Sequence, residues 1–244
     1  MKFDTYLALG DSVSLDMHPY QDAQKLSLVC KQEIGAASLL HRNDDSLHPE
    51  FVGRDLITMI QVSNHVNLCE NGGTTEDLLK RIAAKELDRF TKDNVLVTIT
   101  LGSNDLLAAY RAGGDRSGIF REMKKLQSRF DEAIRSLKAK LSKSKIVVTT
   151  VYDPTDGTGV MPTSAGYRGK MPVEYLSQFN ESLRQTAQTY NLLVADVHLH
   201  FRGHGAECGS ADQFWYLRSS PIEPSYRGAS EIRRVWLQTI EPLL

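Results

Sequence analysis

Five short apolar runs, each bounded by turn residues, constrain this chain more than any other feature: TYLAL at 5–9, VNLC at 66–69, VLVTITL at 95–101, KIVVTTVY at 145–152 and LLVADV at 192–197. Their β-branched content and near-continuous apolarity predict strands of a parallel sheet buried on both faces. Longer segments between them carry helical periodicity. Over 118–142, Ile119, Met123, Leu126, Phe130, Ala133, Ile134, Leu137 and Leu141 recur at three- and four-residue steps and form one stripe. A second helix is predicted over 172–190, opened by Pro172, and a last one over 228–240. Alternation of this kind predicts an α/β fold, a doubly wound sheet whose ligands sit beyond the carboxyl ends of the strands.

Two regions read less simply. KLSLVCKQEIGAASLLH suggests a helix interrupted by Gly35, and FVGRDLITMI a short strand or turn feeding another helix. The stretch 153–170 is a Gly- and Pro-rich loop, carrying Tyr167, of a length that predicts a lid, a binding loop or disorder. Its aspartates resemble a calcium loop only superficially, because position twelve from Asp153 is Ser164 where a Glu is needed.

Composition narrows the function classes. With 244 residues, 41% of them hydrophobic, and no compositional break, the chain predicts a single domain over 1–244. Its 29 basic and 30 acidic side chains nearly cancel, which argues against nucleic acid or an anionic membrane surface as partner and for a small neutral one. Cys30, Cys69 and Cys208 are few, odd in number and far apart, as expected of reduced thiols in a cytoplasmic protein. The N-terminus has no signal-peptide pattern, and no apolar run reaches membrane-spanning length. Oligomeric state is not legible.

Three strand ends carry chemistry-bearing residues. GDS, Gly10 to Ser12, follows the first run; NGGTTEDLL, with Gly72 and a potential capping Thr75, follows the second; LGSNDLL, with Asn104 and Asp105, follows the third. Each alone reads as an ordinary turn or helix cap. Together they place a hydroxyl, a glycine N–H and an amide at neighbouring strand ends, one nucleophile and two oxyanion donors. In these blocks the chain resembles the SGNH, or GDSL, hydrolases, with Ser12 at the nucleophile, Gly72 in the second block and Asn104 in the third. The resemblance spans residues 5 to about 236. It implies a flavodoxin-like three-layer α/β/α sandwich with a five-stranded parallel sheet, and cleavage of an ester or thioester through an acyl-serine intermediate, with no cofactor and no metal. Asp11 is expected to shape its turn and Asp105 to fix the loop of Asn104.

The fourth block departs from the family. Where D-x-x-H-P-N-x-x-G is usual, this chain reads SPIEPSYRG, so that Pro224 and Gly228 align Glu223 with the histidine and Ser220 with the aspartate. A free glutamate, with a pKa of about 4.3 against about 6.5 for histidine, is the weaker base by about 3 kcal/mol. Burial beside Pro221, Ile222 and Pro224 would raise it, and a carboxylate needs no partner to set its tautomer. Glu223 is therefore the expected base. Its competitors are His198, His200 and His204 after the fifth run, with His204 favoured by flanking glycines. Asp196, His198, His200, His204 and Cys208 also read as mixed metal ligands, though at a spacing that matches no specific motif. His18, shortly after the nucleophile, could line an acyl pocket; His41, His48 and His65 carry no motif. Phe214, Trp215 and Tyr216 read equally as substrate contacts or as core.

The primary expectation is a serine esterase for small or medium acyl groups. The alternative is an inactive module of the same fold that binds an acylated or carbohydrate ligand. A nucleotide binder is disfavoured, since no glycine-rich phosphate loop follows the first run.

Overall fold

A computed structural model of the chain describes residues 2–112, 115–160 and 170–244. In chain order the elements are β1 (Thr5–Gly10), α1 (Met17–Lys25), α2 (Ala36–His41), α3 (Leu56–Ile60), β2 (Asn64–Cys69), α4 (Thr75–Ala83), β3 (Val95–Thr100), α5 (Ser103–Ala112), α6 (Arg116–Lys140), β4 (Lys145–Thr149), α7 (Val173–Thr189), β5 (Leu193–Ala195), α8 (Val197–His200), β6 (Tyr216–Leu217), β7 (Ser220–Pro224) and α9 (Tyr226–Ile240). All five predicted strands form one parallel sheet in the order β2-β1-β3-β4-β5. This order places the reversal of strand order between β1 and β3, the crevice where flavodoxin-like sheets bind ligands.

Alternation along the strands divides the core into two layers. Tyr6, Ala8, Leu96, Val147 and Ala195 face α1, α2 and α9, while Leu7, Leu9, Val97, Ile99 and Val148 face α4, α6 and α7. The α6 stripe predicted from periodicity is the buried face, with Phe130 edge-on to Phe179 at 5.6 Å. On the opposite layer Trp236 is fully buried and its indole N–H donates to Thr149 Oγ1 at 2.9 Å, fixing α9 on β4.

The region 21–64 differs from expectation. Gly35 does not interrupt a helix but stands at the N-cap of α2, and the residues before it form no helix beyond Lys25. Asp55 caps α3 by accepting from the Thr58 N–H, so FVGRDLITMI is a turn feeding a helix and not a strand. Of the expected loop at 153–170, residues 161–169, Tyr167 included, lie outside the described residues. The described part is tied down by Asp153, whose carboxylate accepts from the Thr155 and Gly157 N–H groups.

Because Phe130 joins α6, α7 and the sheet, Phe130→Ala should cost about 3–5 kcal/mol in a urea melt. A loss below 1 kcal/mol would show that this layer is not close-packed.

Candidate active site

Strand register assembles the site. Gly10 pairs with Cys69 on one side and with Thr100 on the other, so β1, β2 and β3 end level. Ser12, Gly72 and Asn104, two to four residues past those ends, therefore share one rim. Asp11 shapes the first turn as expected: its Oδ1 accepts from the Val13 N–H at 3.1 Å, starting the short 3-10 turn that carries Ser12. Gly72 sits at φ +78°, with open space where a side chain would be, and a Cβ on Gly73 would lie 2.6 Å from the Gly10 carbonyl oxygen. The first glycine supplies a left-handed turn and the second lets the loop rest on the end of β1.

Capping differs from the sequence reading in one residue. Thr74, not Thr75, caps α4 in a reciprocal box with Asp77. Thr75 is thereby free to donate both its N–H, at 3.0 Å, and its hydroxyl, at 2.7 Å, to Asp105, which also receives Arg129 at 3.2 Å. Asp105 thus bolts the third block to the second. Asn104 spends one amide proton on the Gly73 carbonyl at 3.0 Å, which leaves one for a ligand. Among the described residues neither the Ser12 nor the Gly72 N–H has a backbone acceptor.

The fourth block closes the site. Residues to which the sequence assigned no element form the β6–β7 hairpin, whose prolines are tolerated because the pair has only edges. Tyr152 donates to the Ile222 carbonyl at 2.8 Å, Ser225 caps α9 and donates to the Trp215 carbonyl at 2.8 Å, and the Tyr226 N–H reaches Asp22 of α1 at 3.2 Å. So held, Glu223 Oε1 accepts the Ser12 hydroxyl at 3.0 Å. The two residues are 211 positions apart in the chain.

The carboxylate lies in a setting that suits a base. Burial pushes Glu223 above its ordinary 4.5, and the Ser12 hydrogen bond pulls the other way. Its Oε2 is buried without a hydrogen bond. Asp11 is driven further, to about 7, chiefly by burial and in part by the Glu223 charge, although Ser103 donates to it at 2.6 Å. Two carboxyls with no Lys or Arg in ion-pair reach among the described residues do not both ionise cheaply.

None of the competing histidines joins this pair. His198 donates to the Val151 carbonyl at 3.1 Å, His200 bonds Glu231 at 2.7 Å, and His204 donates to the Gln213 carbonyl while stacking on Trp215 at 3.4 Å. Nor do they gather as metal ligands: among the described residues no three His, Cys, Asp or Glu side chains are placed to hold an ion. Tyr216 is core, wedged against Tyr152 and Phe201, and Phe214 and Trp215 pack beside it. Sequence reasoning missed Ser103, which donates to Asp11 as noted. It offered His18 as lining an acyl pocket; the ring is not in the lining of the apolar cleft described below, and its Nε2 lies 3.7 Å from Glu223 Oε1. Cys30, Cys69 and Cys208 are free thiols, and no helix among the described residues is long and apolar enough to cross a membrane.

Beside the pair opens a small apolar cleft lined by Leu106, Tyr110, Tyr152, Met171, Leu176 and Ile222. Ser103, which donates to Asp11, and Ile222, which directly precedes Glu223, both line it, so the cleft adjoins the turns that carry the pair.

Asp11 makes stability depend on pH with a definite sign. Its folded value of about 7 exceeds its ordinary 3.8, so its contribution is whole below pH 3.8 and is lost as pH rises towards 7, at about 1.4 kcal/mol per pH unit. Between pH 5 and 7 the parent should therefore lose roughly 2–3 kcal/mol relative to Asp11→Asn in denaturant melts. A difference independent of pH would show that Asp11 is ionised throughout.

The sequence matches the GDSL-like lipase/acylhydrolase family over residues 8–228. No curated protein sequence matches the chain. Among solved structures it is similar to Axe2, an acetylxylan esterase from Geobacillus stearothermophilus, with a TM-score of 0.63 and 16% identity over 98% of this chain and 94% of that one. The lipase Lip_vut3 from a goat rumen metagenome gives a TM-score of 0.65 and 16% identity over 96% of each chain. The psychrotrophic esterase EstA from Pseudoalteromonas sp. gives 0.56 and 20% over 98% of each. These likenesses carry the fold, and the family match carries the chemistry of ester bonds. The chain belongs to the GDSL-like lipase/acylhydrolase family of ester-hydrolysing enzymes.

Proposed function

We propose that the protein is a serine esterase for small to medium acyl groups, working as one catalytic unit over 1–244 with Ser12 as nucleophile and Glu223 as base. The observation that carries this reading is the 3.0 Å hydrogen bond from the Ser12 hydroxyl to Glu223 Oε1, made where the family has a histidine. Ser12 Oγ attacks the ester carbonyl carbon as its proton passes to Glu223. The oxyanion is held by the Ser12 and Gly72 N–H groups and by the remaining Asn104 amide proton. When the tetrahedral species collapses, the alcohol oxygen leaves with the proton from Glu223. Water then attacks the acyl-serine, giving a proton to Glu223, and Ser12 recovers it as the acid departs.

Burial supports a glutamate in this role, because a carboxyl raised above 4.5 narrows the gap to an imidazole. The apolar lining of the cleft supports a hydrocarbon acyl group as the part of the substrate that is recognised. The free thiols support a cytoplasmic location. Recognition of an acylated ligand without hydrolysis is the outcome if Ser12 proves unreactive.

A fluorophosphonate probe should label the parent on Ser12, while Ser12→Ala should not be labelled and Glu223→Gln should react at least about 100-fold more slowly. Fast labelling of Glu223→Gln would remove Glu223 from the role of base. In short-ester assays the acid limb of kcat/KM should lie above pH 4.5, since burial raises Glu223 and only its ionised form accepts the proton. Met171→Trp, which fills the cleft, should lower kcat/KM for a hexanoate ester at least tenfold against an acetate ester; an unchanged ratio would place the acyl group elsewhere.

A further inference from the structure

The family's base histidine is absent from the fourth block, yet an imidazole stands at the site from another part of the chain. His18, in the first turn of α1, is nearly as buried as Glu223, their side chains being 13% and 12% exposed. Both its ring nitrogens are buried without a hydrogen bond, as is Glu223 Oε2. A buried polar atom left unpaired costs about 1–3 kcal/mol, so an imidazole and a carboxylate left side by side in this way call for more than packing to explain them. His18 Nε2 is 3.7 Å from Glu223 Oε1, the same oxygen that receives the Ser12 hydroxyl. A small rotation of either side chain would close this gap to a hydrogen bond, as active-site contacts commonly do when substrate binds.

We propose that His18 is the working imidazole of this active site, a positioning residue that acts on Ser12 through Glu223 by sharing the proton that the glutamate takes from the serine. The proposal rests on the esterase reading above. The order of groups is serine, carboxylate, imidazole, whereas the family runs serine, imidazole, carboxylate. As Oγ bonds to the carbonyl carbon and the carbonyl electron pair moves to oxygen, the serine proton crosses to Glu223 Oε1. It is then shared with the lone pair of neutral His18 Nε2. On collapse the proton returns through Glu223 to the departing alcohol oxygen, so no proton enters or leaves the site.

Electrostatics favour the sharing. Burial lowers His18 from its ordinary 6.5 and raises Glu223 from its ordinary 4.5, with the Asn71 side chain beside the ring opposing the fall. The two groups are thereby drawn towards equal proton affinity, the condition under which a proton moves between them at least cost. The groups facing His18 are Glu223 of β7 and Asn71 of the second-block loop. No Lys or Arg among the described residues is in ion-pair reach of Glu223 to compete with it.

Two measurements test this. In short-ester turnover, His18→Ala should lose at least about tenfold in kcat with KM within about threefold, and added free imidazole should restore part of the loss. A His18→Ala enzyme with parental kcat, or one that imidazole does not revive, would overturn the proposal. Independently of turnover, the His18 ring should be titrated by NMR in the parent and in Glu223→Gln, with circular dichroism confirming that both are folded. Loss of the carboxylate should lower the His18 midpoint by at least about half a pH unit, and an unchanged midpoint would overturn the coupling. A parent that neither labels on Ser12 nor turns over, but shows this coupling, would refute the esterase reading and leave the His18–Glu223 pair standing.

Discussion

Everything at this site depends on the level ending of three parallel strands. Gly10 is paired on both sides, with Cys69 and with Thr100, and the chain leaves all three strands at one height. Register in a parallel sheet buried on both faces is strongly specified, because a slip of one residue would exchange the two core layers. The same hydrophobic pattern that forms the core therefore sets the positions of Ser12, Gly72 and Asn104 to within a residue. Asp105 secures the arrangement by taking two hydrogen bonds from Thr75 and one from Arg129, so the second and third blocks cannot drift independently.

Glu223 arrives by a different route, which explains why its surroundings are so specific. It belongs to a hairpin outside the main sheet, held by Tyr152 from the end of β4, by Ser225 at the cap of α9 and by Asp22 of α1. Each tether is a hydrogen bond to a backbone group of the hairpin or helix start, which fixes the position of the block. The result is a carboxylate in an apolar corner with a hydroxyl on one oxygen, no cation among the described residues in ion-pair reach, and a second buried carboxyl, Asp11, nearby. Such an environment destabilises the ionised form, and a destabilised carboxylate is a stronger base.

Legibility followed the strength of the local signal. The five strands were visible because buried parallel strands are continuous apolar runs, and α6 because its stripe repeats for 25 residues. By contrast α1, MHPYQDAQK, buries only Pro19 and Ala23, so it carries no stripe to find. The β6–β7 hairpin was hidden by Pro221 and Pro224, which usually argue against a strand. Thr75 was mistaken for the cap of α4 because two adjacent threonines offer the same chemistry, and only the position of Asp105 decides which one turns inward.

The sequence by itself determined the α/β class, the order of the blocks and the presence of Glu223 within the fourth, because these reside in local composition and spacing. Only the tertiary structure decided which groups meet: that Glu223 reaches Ser12, that His198, His200 and His204 are engaged elsewhere, and that His18 stands against the carboxylate. The physical reason is that periodicity reports which face of an element is buried. It carries no information about which side chains from distant elements point into the same few ångströms, and proton transfer requires that proximity.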